Sequence, residues 1–482
     1  MKKDPCLHLN FSVIFLGALT LLTLLCDPRT YAAETLTLDH YLGQVNEGNK
    51  AFKGARETAE GTLLRAKESS LAYTPTLFGK IQYASDAKPS PFFPYQRVVN
   101  RAYEIGVSQA TSFGLQAKVY YDFDFFEYSG LRIPPYYAGK PAIELTQSLW
   151  RNGFGSEIRA SQELLEANAL ASHFTESFRT RSLSTDAEVL YWNLSAAREL
   201  VKVRTSSLAR ADRLMEWSRK RSRLQLGDSS DQFQAQANQE VRKLELQAAE
   251  DQERNTSRAF NQSRGIDAEK VTEALEPINV VLDPDRLTEI KAPARAGIRE
   301  DVRAAEQIEI ATVANSVVAT SRNNPTLDVY AAYAMNSRLQ PGVSDAIGDS
   351  FHSGRPTSAI GLRFSAPLDL GLLNDAKKGW AKEKSGAELT YQKRLFDQDI
   401  DWKNLNDQFE QAKKRLRLAI AIEKIQQKKM TYERERLGRG RTTTYQVLLF
   451  EQDLSQAELA RVQSQAEVLQ LLARMKLFGG SL

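Results

Sequence analysis

The residues that could do chemistry are few and widely separated. The chain of 482 residues has four histidines and two cysteines. His8 falls in the N-terminal leader described below. His40, His173 and His352 belong to no HExxH or HxxxH pattern and have no cysteine beside them, so no metal-ligand spacing exists. His173 lies in a stretch of helical period and reads as a helix-face histidine. No GxSxG, phosphate-loop or dinucleotide fingerprint occurs. Gly438-Arg439-Gly440 lacks the preceding strand that a phosphate loop needs. Asp122 and Asp124 are paired carboxylates, but they alternate along one strand face, which is the spacing of a wet surface and not of an acid–base pair. The expectation is no catalytic residue, no cofactor, no metal and no enzyme.

The elements that carry these residues explain the pattern better than chemistry does. Lys2 and Lys3 precede an apolar run at residues 9–25, and a polar stretch ends in "TYAAE". Thr30 and Ala32 supply the small residues of a signal-peptidase site, so cleavage is expected after Ala32 or Ala33. A retained membrane anchor is the alternative, but the run is short for a span. Lipidation at Cys26 is not expected, because Leu25 stands where a small residue is required. Cys6 and Cys26 both precede the cleavage point, so the exported chain would have no thiol. Residues 1–32 are therefore read as a leader.

Charge excludes another class. Lys and Arg number 64 against 60 Asp and Glu, a net charge of +4, and they are interspersed, so no nucleic-acid signature appears. A mean hydropathy of −0.43 excludes a polytopic helical membrane protein but not a β-barrel.

Strand patterns fill residues 76–149. In residues 115–125, Leu115, Ala117, Val119, Tyr121, Phe123 and Phe125 share one parity, and Lys118, Asp122 and Asp124 the other. A charge on a lipid face costs up to ~2–4 kcal/mol, so one parity is free to meet lipid. Residues 78–150 hold 16 aromatics, well above the 9% average of the chain, as interfacial girdles require. A soluble sandwich with one wet face gives the same alternation.

Long helices follow. In residues 156–226, Ala187, Leu194, Val201, Leu208 and Met215 form a seven-residue series; Leu183, Leu190, Ala197, Arg204 and Ala211 form its companion. Gly227-Asp228-Ser229-Ser230 breaks this helix, and residues 231–263 return. After a connector with Pro277, Pro284 and Pro293, the order repeats. A helix at 294–320 leads to strands within 326–367, then a hairpin of helices at 374–477 turning at "GRGR". "YTPTL" and "NNPTL" open the first strand of each half, with prolines 250 positions apart (325 − 75). The chain reads as a duplication: a first repeat at 33–265 with hairpin 154–263, a connector at 266–293, and a second repeat at 294–482. Leu327, Val329 and Tyr333 are expected on the lipid side, Asp328 and Tyr330 on the lumen side.

The fold class expected is an α+β membrane protein with long coiled-coil hairpins and four to six antiparallel strands per chain. So few strands cannot close a barrel alone, and open edges are excluded from lipid, so copies must share one. Three ordered features occur twice: a strand-to-helix junction ("LTQSLWRNGFGSEIRASQ" and "FSAPLDLGLLNDAKKGWA"), an Ala-rich helix, and a tip turn ("LQLGDSSDQFQAQA" and "RLGRGRTTTYQVLLFEQDL"). In this the chain resembles the TolC-like outer-membrane efflux proteins. The resemblance implies a homotrimer in the outer membrane of a Gram-negative-type cell, with a twelve-strand barrel and a twelve-helix periplasmic tube. It also implies docking to an inner-membrane pump or ATP-driven exporter through a periplasmic adaptor.

The resemblance further places the pore entrance at the tips: Gly227, Asp231, Arg439, Gly440, Arg441 and Gln446. Asp231 matches an acidic position of the family, whereas Gln446 stands where an aspartate is common, amid Arg434, Arg436, Arg439 and Arg441. The barrel lumen would carry Lys118, Asp122, Asp124, Asp328 and Arg363. Efflux and type I secretion share such a duct. A surface coiled-coil adhesion protein with a β anchor is the alternative from another class. The hairpin at residues 101–127 departs from the four-strand pattern; it either widens the barrel or forms a lobe beside it, and eighteen strands suggest a mouth wider than a twelve-helix tube.

Overall fold

A computed structural model describes residues 35–87, 96–225, 228–282 and 290–479. The cleavage site at Ala32, Gly227 and Pro284 lie outside the described residues. The chain opens with α1 (Leu38–Gly48) and α2 (Lys50–Ala66), continued by a 3-10 segment to Tyr73. Their break is set by Asn49: its side chain accepts from the Ala51 and Phe52 amides and caps α2. Strands β1 (Thr76–Asp86), β2 (Arg97–Ala110), β3 (Leu115–Ser129) and β4 (Tyr136–Ser148) follow. Then come α3 (Ser156–Arg223), α4 (Ser229–Ser263), a short α5 (Ile278–Val281), α6 (Glu300–Arg322) and β5 (Thr326–Met335). The chain ends with α7 (Val343–Asp349), β6 (Pro356–Ser365), α8 (Leu370–Gly438) and α9 (Thr444–Met475).

The six strands among the described residues form one antiparallel sheet in the order β1-β2-β3-β4-β5-β6. The hairpin of residues 101–127 is therefore part of the sheet and not a lobe beside it. Its turn is built into the base of α3. Gly114 (φ +84°) and Gly155 (φ +81°) pack backbone to backbone, and a Cβ on Gly155 would lie 2.1 Å from the Ser112 carbonyl. Arg159 donates to the Ser112 and Phe154 carbonyls at 2.6 and 2.7 Å. Each Pro-Thr-Leu triplet marks a helix-to-strand change, since proline ends a helix and tolerates the start of a strand.

The helices form four columns. α3 is one, and α8 is another. Beside α3, α2 continues where α4 stops: Asn49 Nδ2 donates to the Ser263 carbonyl at 2.7 Å, and Gly48 abuts the Arg264 carbonyl. Beside α8, α6 continues where α9 stops, with the Ala296 amide donating to the Phe478 carbonyl at 2.9 Å. A core at mid-length ties the columns. There Tyr41 stacks on Phe260 at 4.0 Å, and Tyr191, Trp192, Phe409 and Leu416 close around them. Burying these large apolar side chains is worth roughly 1.5–3 kcal/mol each. The Tyr191 hydroxyl donates to the Leu36 carbonyl (2.7 Å) and accepts from the Glu276 amide (3.1 Å), joining the isolated Leu36–Leu275 bridge to α3. Burial pushes the Tyr191 hydroxyl pKa up to about 12.

Two expectations are corrected. Below Ala197 the buried stripe of α3 runs Val203, Ser207, Ala211, Leu214, Ser218, while Val201, Leu208 and Met215 are only half-buried. The spacing is closer to 3.7 than to 3.5 residues per turn, and small side chains let neighbouring helices approach. α6 starts at Glu300 and not near 294, because Gly297 takes φ +70° and Arg299 is still extended. Between β5 and β6 the chain also forms α7, whose Ala346 is fully buried. The connector likewise contains α5.

Candidate functional site

The sheet carries most of its charge on one face, which defines two faces. On one face Lys118 donates to Glu104 at 2.6 Å, Lys140 lies 3.8 Å from Asp122, and the Tyr120 hydroxyl donates to Glu144 at 2.7 Å. Asp328 stands directly opposite Arg363, and the Arg363 guanidinium lies over the Tyr330 ring at 5.6 Å. Cross-strand pairing puts Lys118, Asp122, Asp124, Asp328, Tyr330 and Arg363 on this same face. Residues opposite one another in an antiparallel pair share a face, so the parity follows from register.

The other face carries rows of apolar side chains. Leu77, Val107, Val119, Ile143 and Tyr333 make one row across five strands. Tyr83, Arg101, Phe125 and Tyr137 make another near the far end of the sheet, with Arg101 over the Phe125 ring at 5.0 Å. Leu327, Val329 and Tyr333 share this parity. Ile81 and Ile360 are each 82% exposed, so this face is open at the edge strands, while α7 and Phe351 cover it over Tyr121 and Gly139.

Where the polar face meets the helices, a cavity of about 390 Å³ is lined by Gln116, Ser148, Arg151, Glu157, Arg322 and Asp328. Glu157 is 3.6 Å from Arg151 and 3.4 Å from Arg322. Asn152, at φ +53°, accepts from the Glu157 and Ile158 amides and caps α3. Sequence patterns gave no sign of this charged collar, since Arg151, Glu157 and Arg322 look like ordinary helix-end charges.

The far ends of the helices are two tight turns. In the first, Asp228 caps α4 by accepting from the Ser230 amide at 3.1 Å, and this bond holds its carboxyl below the usual range. Asp231 is half-buried in the first turn of α4. The left-handed residue described in this turn is Gln225 (φ +58°). In the second, Gly440 (φ +71°) makes a Schellman end: its amide donates to the Leu437 carbonyl and that of Arg441 to the Arg436 carbonyl, both at 2.9 Å. Gln446 is half-buried in the first turn of α9, where its amide donates to the capping Thr443 hydroxyl.

The arginines near that turn are not equivalent. Arg436 pairs with Glu433 at 3.2 Å, and Arg439 lies 3.8 Å from Glu435. Arg434 instead lines a cavity of about 190 Å³ between α3, α8 and α9 with Arg210, Trp217, Met430 and Glu451, and burial lowers its pKa. Above it, Arg210 bridges Glu451 and Glu458, and Arg461 bridges Glu199 and Glu423. Arg204, the polar member of the predicted seam, donates to Glu245 and Ser455 at 2.9 and 2.7 Å. These pairs lock the two helical hairpins together.

Among the described residues, no group of His, Cys, Asp and Glu gathers to hold a metal ion, and no helix is long and apolar enough to cross a membrane. His173 packs α2 on α3, its Nδ1 lying 2.8 Å from the Ala59 carbonyl.

Neither family models nor curated proteins give a match to the sequence. Solved structures do match the fold. The outer-membrane channel OprN superposes with a TM-score of 0.66 at 16% identity, covering 92% of this chain and 90% of its own. The outer-membrane protein VceC from Vibrio cholerae gives 0.62 at 16%, covering 92% and 96%. The open state of the Neisseria gonorrhoeae MtrE outer-membrane channel gives 0.62 at 17%, covering 92% and 89%. The resemblance to TolC-like proteins carried by the junction and tip motifs is thus met at the level of fold.

Proposed function

We propose that the chain is the subunit of an outer-membrane exit duct, passive in itself, through which an inner-membrane transporter discharges its cargo. The observation that carries this reading is the two-faced sheet at the head of two long helical hairpins. One face is paired charge, and the other is exposed and apolar. Backbone groups at an open sheet edge have no partner in lipid, so the subunit is completed by copies of itself, three of them as the resemblance to TolC-like proteins implies. The polar faces, with Lys118, Asp122, Asp124, Asp328 and Arg363, then enclose a wet lumen. The helical columns continue that lumen as a tube across the periplasm.

The duct has no chemistry of its own to drive transport. Energy comes from a partner pump or ATP-driven exporter, engaged through an adaptor at the tips around Asp231 and Gln446. Recurrence of helix, strands and helical hairpin supports an internal duplication: β1–β4 with α3 and α4, then β5–β6 with α8 and α9. Export by a cleaved leader after Ala32 places the protein where such a barrel assembles. Insertion of the purified protein into a planar bilayer tests the reading. Discrete, long-lived conductance steps support it; a bilayer left silent by folded protein sinks it.

A further inference from the structure

Which strands meet between copies follows from the sheet itself. The edges are β1 and β6, and with six strands in antiparallel order they run oppositely, so β6 of one copy can pair antiparallel with β1 of the next. Their outward residues are among the most exposed apolar side chains of the chain: Leu77 and Ile81 on β1, Ile360 and Leu362 on β6. Only registers that keep these on one face are allowed, which leaves steps of two residues.

The register is narrowed by three constraints. First, β5 already pairs with β6 flush at the base, Thr326 opposite Ser365 and Leu327 opposite Phe364. β1 opens on the same Pro-Thr-Leu triplet, so a flush β1 puts Thr76 opposite Ser365 and Leu77 opposite Phe364, and all ten residues of β6 find partners. Second, a shift of two residues along β1 would set Arg363 opposite Lys80, and like charges directly opposed are unfavourable. The flush register sets Arg363 opposite Phe78 and Gly361 opposite Lys80. Third, the strand tilt must suit a barrel. The row Thr76, Ser108, Lys118, Glu144, Ala332, Ala359 crosses the whole sheet. Flush pairing sets Ala359 opposite Gln82 of the next copy, a climb of six residues (82 − 76) per copy. At about 3.4 Å per residue and 4.8 Å between strands, that climb gives a tilt of about 35°, at the lower end of membrane barrels.

We propose that three copies close an eighteen-stranded barrel (3 × 6) through a flush β6–β1 seam, with Ile360 opposite Ile81 of the neighbouring copy. This rests on the duct reading and adds its dimensions. Eighteen strands at that spacing and tilt make a cylinder about 34 Å across, whereas twelve make one of about 22 Å. Twelve helical columns (3 × 4) at about 8–10 Å between axes close a ring about 31–38 Å across. The extra hairpin therefore matches the barrel to the tube and does not overshoot it. The cargo meets no narrowing of the backbone wall where tube becomes barrel.

Cysteine pairs test the seam. Ile360→Cys is combined with Ile81→Cys, and, as register controls, with Gly79→Cys and with Tyr83→Cys. Oxidation of the full-length protein in membranes should give the first pair a covalent ladder ending at three copies, with the controls linked at least tenfold less. The single variants report linkage through Cys6 or Cys26, and co-expressing I360C and I81C chains reads the same contact if the double variant fails to assemble. Stronger linkage in a control, or a ladder ending elsewhere, overturns the seam. So does an unlinked hollow trimer, which leaves the duct intact; a compact monomer would overturn the duct reading itself.

Discussion

Arg210 on α3 and Glu458 on α9 meet at 2.9 Å although 248 positions separate them, and the same guanidinium also reaches Glu451, which is 2% exposed. One half-buried cation thus holds two anions from the other helical hairpin, Glu451 buried and Glu458 half-buried. Removing it alone strands both.

Arg210→Ala should therefore cost about 3–5 kcal/mol, more than removing all three charges together. The triple replacement of Arg210, Glu451 and Glu458 by methionine should recover most of the loss. Thermal midpoints of the helical signal decide it: a triple variant no better than R210A refutes the idea that stranded charge is the damage.

Acidity should act on the same cluster with a definite sign. Burial raises the Glu458 carboxyl above 4.5, with Arg210 pulling it back, and Glu423 is raised likewise beside Arg461. The folded chain therefore holds the Glu458 proton more tightly than the unfolded chain. The destabilising contribution of its ionised form is full above the folded pKa, shrinks as pH falls through it, and is gone below 4.5. Glu458→Gln should thus be more stable than wild type near neutral pH, with the difference shrinking toward pH ~4.5. A gap that widens on acidification contradicts this.

The two sheet faces should differ sharply in tolerance. Val119→Lys puts a charge on the apolar face and should cost about 2–4 kcal/mol, cutting the yield of assembled oligomer in membranes by more than tenfold. Gln116→Lys, on the face of Lys118, should change that yield less than about twofold. Equal losses would mean that the apolar face does not meet lipid.

In the proposed duct, threefold repetition would multiply each tip charge in a narrow bore. With Gln446 in place of a second acid, the entrance should select cations only weakly, and Gln446→Asp should move the reversal potential in a salt gradient toward cation selectivity. An unchanged potential would show that Gln446 does not line the constriction.

Much of this was legible in the residues, and the physical reason is parity. A strand that places Lys118, Asp122 and Asp124 on one side and Val119, Tyr121 and Phe123 on the other states its faces without a partner. The helix seam was less legible. Its lower half buries Ser207, Ala211 and Ser218, which carry too little apolar signal to mark a stripe, and its polar members are satisfied only by distant partners, as Arg204 is by Glu245 and Ser455. The short helices α5 and α7 were hidden because each is held by tertiary packing and neither has a periodic face of its own. The charged collar around Glu157 escaped because its arginines come from two segments about 170 residues apart (322 − 151).

The central claim is that this chain builds a continuous duct from membrane to periplasm. Imaging single particles of the detergent-extracted, full-length protein tests it most directly. A hollow particle of three copies is predicted, with a barrel at one end and a helical tube of about 100 Å, the length of the 68-residue α3 at 1.5 Å per residue. A compact monomer, or a solid rod without a lumen, would contradict the account.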